Sequence, residues 1–129
     1  MSSSILAIVV DCRDARAVAQ FWSAALDRAV IERNPREYRV GSPATEGTVL
    51  YFMDVPEPKG AKNRLHIDVV THGRLEDEVE RLLGLGAALV EFRTDPATLD
   101  NPDRWAVLTD PEGNEFCVTS TTTLSDWFD

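Results

Sequence analysis

Set against itself, this chain repeats. Leu6-Ala7-Ile8-Val9-Val10 lines up with Leu65-His66-Ile67-Asp68-Val69 at an offset of 59 residues, and each segment is followed by a polar turn and a helical pattern. A duplicated unit constrains the fold more than any single motif, because each copy has to be one supersecondary structure. After the first segment Asp14 is placed to cap a helix. Ala15, Val18, Ala19, Trp22, Ala25 and Leu26 then recur at three- and four-residue spacing, which is one apolar helix face. After the second, Leu75, Val79, Leu82 and Leu83 repeat the pattern among Glu76, Asp77, Glu78, Glu80 and Arg81, and Gly84 or Gly86 can end the helix in a left-handed conformation.

Strand candidates follow at Ala29 to Asn34 and Ala88 to Arg93, again 59 apart. Two more close each half: Tyr38 to Ser42 and Val49 to Asp54, then Trp105 to Thr109 and Glu115 to Ser120. The last pair is offset by 66, and the seven extra residues are assigned to the loop Thr94 to Asp103, where Pro96, Pro102 and other turn formers absorb an insertion cheaply. Each half reads βαβββ, so the expected fold class is α+β. The expected organisation is a single domain over 1–129, with module 1 at about 5–54, a linker at 55–63, module 2 at about 64–120 and a C-terminal tail at 121–129. Pro56, Pro58 and Gly60 mark the linker.

Composition narrows the function classes. A hydrophobic content of 43% is enough to build a core without metal or disulfide staples. The longest apolar stretches, Ile5 to Val10 and Val49 to Met53, are far shorter than the roughly 20 residues that cross a bilayer. Met1-Ser2-Ser3-Ser4 lacks the basic region of a secretory signal, and a cytoplasmic location is expected. Cys12 and Cys117 have no paired spacing and are expected as free thiols. With 22 acidic against 13 basic residues the net charge is −9, which repels a phosphate backbone, so neither nucleic acid nor membrane is an expected partner. The basic cluster Lys59, Lys62 and Arg64 is interleaved with Gly60, Ala61 and Asn63 and reads as a solvated loop.

Three local features carry a resemblance: Asp14 with Phe21-Trp22 after it, Leu65-His66-Ile67-Asp68 opening the second half, and Asp110-Pro111-Glu112-Gly113-Asn114-Glu115-Phe116. The last is physically a tight turn between strands, with proline presetting φ and glycine or asparagine accepting positive φ. With the internal repeat, these features make the chain similar to the vicinal-oxygen-chelate superfamily of glyoxalases, bleomycin-resistance proteins and dioxygenases, over nearly its whole length. The resemblance implies two modules whose curved mixed sheets enclose a cavity, helices outside, and a small-molecule ligand held by a homodimer. It also implies a divalent metal, ligated from the first and last strands of each module so that open coordination positions take substrate oxygens. The corresponding positions here are Ala7, His66 and Cys117, with Leu50, Tyr51 and Phe52 around the fourth. Only His66 is retained. Three protein ligands are the usual minimum for a catalytic ion, so a divalent metal is disfavoured and no cofactor is expected.

Strand alternation places side chains independently of the resemblance. Leu65, Ile67 and Val69 should face the helix, and His66, Asp68 and Val70 the cavity. Phe116 and Val118 should be core, and Glu115, Cys117 and Thr119 should face the cavity. His66, Asp68, Glu115 and Cys117 are thus expected to converge. Such a group serves as an alternative metal site, a general acid and base pair, or polar lining that orients a ligand. Structural roles compete: His66 as a histidine bonded to Asp68, Cys117 as a small buried hydrophobe, Glu115 as a solvated strand end. Trp22 is expected as a packing residue, Phe52 and Trp105 as aromatic cavity walls, and His72 as an exposed turn residue. Two functions follow. One is a binding or resistance-type protein without a complete divalent-metal site. The other is a lyase, isomerase or dioxygenase-type enzyme acting on an oxygenated small molecule through His66 with Asp68 or Glu115.

Overall fold

The structure, a computed structural model, describes residues 2–94 and 104–120. The chain divides into two compact units between Gly60 and Ala61. Module 1 runs β1 (Ala7–Cys12), α1 (Ala15–Leu26), β2 (Val30–Asn34), β3 (Glu37–Val40), α2 (Pro43–Glu46) and β4 (Val49–Asp54). Module 2 runs β5 (Ile67–Thr71), α3 (Leu75–Leu85), β6 (Ala88–Thr94), β7 (Arg104–Thr109) and β8 (Glu115–Ser120). Each module holds one four-stranded sheet, ordered β1-β4-β3-β2 and β5-β8-β7-β6. The outer pairs β1·β4 and β5·β8 are parallel and the rest antiparallel, so both sheets are mixed.

The duplication holds at the level of pairing register. Ile8 lies beside Leu50 in one module and Ile67 beside Phe116 in the other, at the offsets of 59 and 66 legible in the sequence. Val30 beside Val40 corresponds to Leu89 beside Leu108, and both second strands carry a register irregularity, at Glu32/Asn34 and Leu89/Glu91. Val40 and Leu108 are 68 apart, which corrects the expectation of seven inserted residues: about nine precede β7, and the closing hairpin is then about two shorter. The reason is α2, a single turn of helix with Pro43 in its first turn, which module 1 carries where module 2 has a tight turn. Ser42 therefore caps α2 instead of extending β3. The loop 95–103 and the tail 121–129 lie outside the described residues.

The two long helices, α1 and α3, each cover one face of their own sheet. α1 buries Ala15, Val18, Ala19, Phe21 and Trp22, while Ala25 and Leu26 are only half-buried. The Phe21 and Trp22 rings meet edge to face at 5.3 Å between centroids, so Trp22 is a packing residue as expected. α3 buries Leu75, Val79 and Leu82, leaves Leu83 partly in solvent, and ends at Gly86 rather than Gly84, with φ at 118°. From the strands, Leu50 and Phe52 in module 1 and Phe116 and Val118 in module 2 complete the two cores. Among the described residues no helix is long and apolar enough to cross a membrane.

Helix starts differ between the modules. The Asp14 carboxylate accepts from Ala17 N at 3.1 Å, and Asp54, at the end of β4, accepts from Ala15 N at 2.7 Å. Two otherwise orphaned amides are thereby satisfied. α3 has Arg74 at its N-cap with no side-chain cap, and relies on Glu76, Asp77 and Glu78 in its first turn. Arg104 of β7 donates to Glu76, which lowers the Glu76 pKa, and lies 4.8 Å over the Phe92 ring. The turn after β7 is organised by buried Asp110, whose carboxylate accepts from Glu112 N and Asn114 N, each at 2.9 Å, and Asn114 Nδ2 at 3.1 Å. Gly113 there adopts φ of 87°, which only glycine takes without strain.

Candidate functional site

The face of the module 2 sheet turned away from α3 brings together the candidate site residues. Along β8, Phe116, Val118 and Ser120 are buried and Glu115, Cys117 and Thr119 are half-buried, so alternation sends Cys117 to the open face. On β5, Ile67 and Val69 are half-buried while Asp68 and Val70 are exposed. The parallel pairing sets Asp68 directly beside Cys117. His66, the residue before β5, places Nε2 3.1 Å from Asp68 Oδ1. One donor atom from each of His66, Asp68 and Cys117 lies within 4.8 Å of the others. Three of the four residues expected to converge therefore do so.

Glu115 does not join them. Its carboxylate accepts from Asn63 N at 3.2 Å, and Asn63 Nδ2 donates to Asn114 Oδ1 at 2.8 Å. Glu115 thus ties the segment leading into His66 to the turn before β8. Leu65, expected against the helix, is instead 74% exposed, because β5 begins only at Ile67 and alternation does not extend back to it. Trp105 is half-buried on the open face of β7, opposite Thr119. Phe52 is corrected: it is fully buried on the helix side of β4 and cannot wall a ligand site on the open face. His72 is exposed in the turn before α3. Neither cysteine forms a disulfide, and the buried Cys12 thiol donates to Val10 O.

The electrostatics separate the three residues. Burial raises the Cys117 thiol pKa, the negative charge of Asp68 raises it further, and Arg93 and Lys62 oppose the shift without cancelling it. Cys117 is therefore a neutral thiol at physiological pH and a poor nucleophile. The Nε2–H of His66 is placed to donate to Asp68, which orients the imidazole, and in the neutral ring with its proton on Nε2 the other nitrogen, Nδ1, is an acceptor. A carboxylate-oriented imidazole of this kind accepts a proton from, or a hydrogen bond of, an oxygenated ligand.

Module 1 presents different groups at the same register. Val9 pairs with Tyr51 where module 2 has Asp68 and Cys117, and Ala7 stands where module 2 has His66. The Tyr51 hydroxyl accepts from Arg33 Nη1 at 3.0 Å and lies 3.4 Å from Glu37 Oε2. Arg33, Glu37 and Arg39, not singled out in the sequence, share this open face, and the signal for the last two was their alternation with buried Tyr38 and Val40. On the helix side, a groove of about 360 Å³ is lined by Arg16, Gln20, Val30, Glu32 and Tyr38. The Tyr38 hydroxyl lies 3.1 Å from Glu32 there, and burial followed by that bond raises its pKa.

The positions to which the resemblance assigns divalent-metal ligands carry different residues in the two modules. Ala7 offers no donor atom and Tyr51 is engaged with Arg33 and Glu37. Module 2 alone offers imidazole, carboxylate and thiol, a set suited to a borderline cation such as zinc rather than a hard one.

Residues 7–119 match the family model described as a glyoxalase-like domain. No curated protein matches the chain in sequence. Solved structures of similar fold include a glyoxalase-related enzyme from Fulvimarina pelagi, with 18% identity, 93% of this chain and 89% of that one covered, and a TM-score of 0.68. A lactoylglutathione lyase from Agrobacterium tumefaciens is 15% identical, with coverage of 94% and 96% and a TM-score of 0.63. The fosfomycin resistance protein FosX from Listeria monocytogenes, solved with Mn(II) and 1S,2S-dihydroxypropylphosphonic acid, is 16% identical, with coverage of 92% and 90% and a TM-score of 0.71. At these identities the likeness is one of fold.

Proposed function

This chain belongs to the glyoxalase-like domain family, and from that premise we propose that it binds an oxygenated small molecule on the open face of module 2 without the family's complete divalent-metal site. The observation that supports this reading is the His66–Asp68 pair, 3.1 Å apart, beside the neutral thiol of Cys117. Asp68 orients the imidazole, His66 Nδ1 accepts a hydrogen bond from a ligand hydroxyl, and half-buried Trp105 and Val107 on the same face supply apolar surface. Fold neighbours named for lactoylglutathione and fosfomycin are in keeping with a small oxygenated ligand. Turnover of that ligand is the stronger form of the reading, with His66 taking a proton from carbon or oxygen. A thermal-shift screen of hydroxylated and carbonyl metabolites tests it, since a ligand that binds only the folded state raises Tm. The expected result is a stabilising compound whose effect is lost in His66→Ala. Stabilisation equal in both proteins contradicts the reading.

A second reading rests on the three donor atoms within 4.8 Å of one another. His66, Asp68 and Cys117 would hold a zinc-like cation, which when bound supplies Lewis-acid polarisation of a ligand oxygen. Calorimetric titration of chelator-treated protein with Zn²⁺, repeated on Cys117→Ala, separates the two. Stoichiometric binding lost in the variant favours the cation, and its absence favours the metal-free site.

A further inference from the structure

The open face of module 1 carries a guanidinium whose Nε–H has no acceptor among the described residues. Register aligns Ile31, Arg39, Tyr51 and Val9 in one row across β2, β3, β4 and β1. Glu37, the nearby carboxylate on β3, is already served: Asn34 Nδ2 donates to its Oε2 at 2.7 Å, Arg33 Nε lies 3.7 Å away, and the Tyr51 hydroxyl 3.4 Å away. Arg33 is in turn committed to Tyr51 and Glu37, and the hydrogen bond to Tyr51 is the first cause raising its pKa. Arg39 is left over. Its residue is half-buried, and its Nε is fully buried with no hydrogen-bond partner among the described residues. A buried guanidinium N–H without an acceptor is costly, and such donors are nearly always satisfied.

We propose that Arg39 is an oxyanion subsite, which takes the carboxylate or phosphate-type group of a small molecule. The unpaired atom is Nε, and Nε with the adjacent Nη forms the side edge of the guanidinium fork, whose two parallel N–H groups match two oxygens of one oxyanion. Ile31 beside Arg39 and Val9 beside Tyr51 put exposed apolar surface at the two ends of the row, against which the carbon skeleton of such a molecule can lie. Although the chain as a whole carries a charge of −9, the Arg39 cation attracts anions locally against the global field. The subsite stands on module 1 alone and does not depend on His66.

The test uses the full chain labelled with ¹⁵N-arginine. The Arg39 Nε–H resonance, assigned by its loss in Arg39→Lys, is followed during titration with sodium acetate and with inorganic phosphate, against sodium chloride at matched ionic strength. The expected result is a saturable shift with at least one oxyanion and none with chloride, and the more tightly bound probe names the group. Arg39→Lys keeps the charge but not the fork, and should weaken binding by about tenfold, read from the Tm increase at a given anion concentration. Arg81→Met, which removes a cation from α3, should leave the affinity unchanged. A resonance that ignores both oxyanions, or follows them linearly as it follows chloride, overturns the proposal, as does undiminished binding in Arg39→Lys.

Discussion

The two modules share a pairing register and differ in what they display on it. At equivalent places module 1 has Ala7, Val9 and Tyr51, and module 2 has His66, Asp68 and Cys117. The helix-facing positions are apolar in both, with Leu50 and Phe52 answered by Phe116 and Val118. Burial dictates one face of each strand, while the other is free to carry chemistry, so one scaffold presents an imidazole–carboxylate pair in one half and an arginine row in the other.

Core substitutions should break the two halves alike, and most severely. Phe52→Ala and Phe116→Ala each remove a fully buried ring and should cost about 3–5 kcal/mol in urea unfolding. A large loss for one and a negligible loss for the other would show that the two cores are not equivalent supports. The closing hairpins should differ next. Asp110→Ala removes the acceptor of the half-buried Glu112 and Asn114 amides and should cost about 1–2 kcal/mol, an arrangement that module 1 replaces with α2. Helix starts give a smaller contrast with opposite signs. Asp14→Ala should destabilise by about 1 kcal/mol, whereas Arg74→Asp, supplying a cap that α3 lacks, should stabilise by about 0.5–1 kcal/mol.

The smallest effect is in pH dependence. Because the Cys117 pKa is raised in the folded state, the unfolded chain loses that proton first. The associated stability is fully present below the unfolded thiol value of about 8.5 and is lost as pH rises through the folded value. Stability should therefore fall more steeply between neutral and alkaline pH in the native protein than in Cys117→Ala. Parallel profiles would show that the thiol is not held by its surroundings.

Legibility followed the strength of alternation. On β5 and β8 polar and apolar residues take turns, so parity puts Asp68 and Cys117 on one face, and His66, one residue ahead of β5, joins them through its contact with Asp68. On β4 the run Val49-Leu50-Tyr51-Phe52-Met53 is apolar on both faces, no period of two is visible, and Phe52 was accordingly expected on the wrong side. Leu65 was misplaced because parity was carried past the end of a strand. Arg39 was missed for another reason. A charged residue on a strand ordinarily reaches solvent, and only the pairing of β3 with both β2 and β4 shows that its Nε does not. Glu115 was placed on the correct face, but its commitment to the Asn63 amide depends on a loop conformation that carries no periodic signal.

The central claim is that ligand recognition lies with the Asp68-oriented imidazole of module 2. Its most direct test is calorimetric titration of a compound found by thermal shift into the native protein, His66→Ala and Asp68→Asn. Affinity should fall by at least about tenfold in His66→Ala and by a smaller factor in Asp68→Asn, which keeps the side chain but loses its charge. Equal affinity in all three proteins would place recognition elsewhere on the molecule and contradict the account.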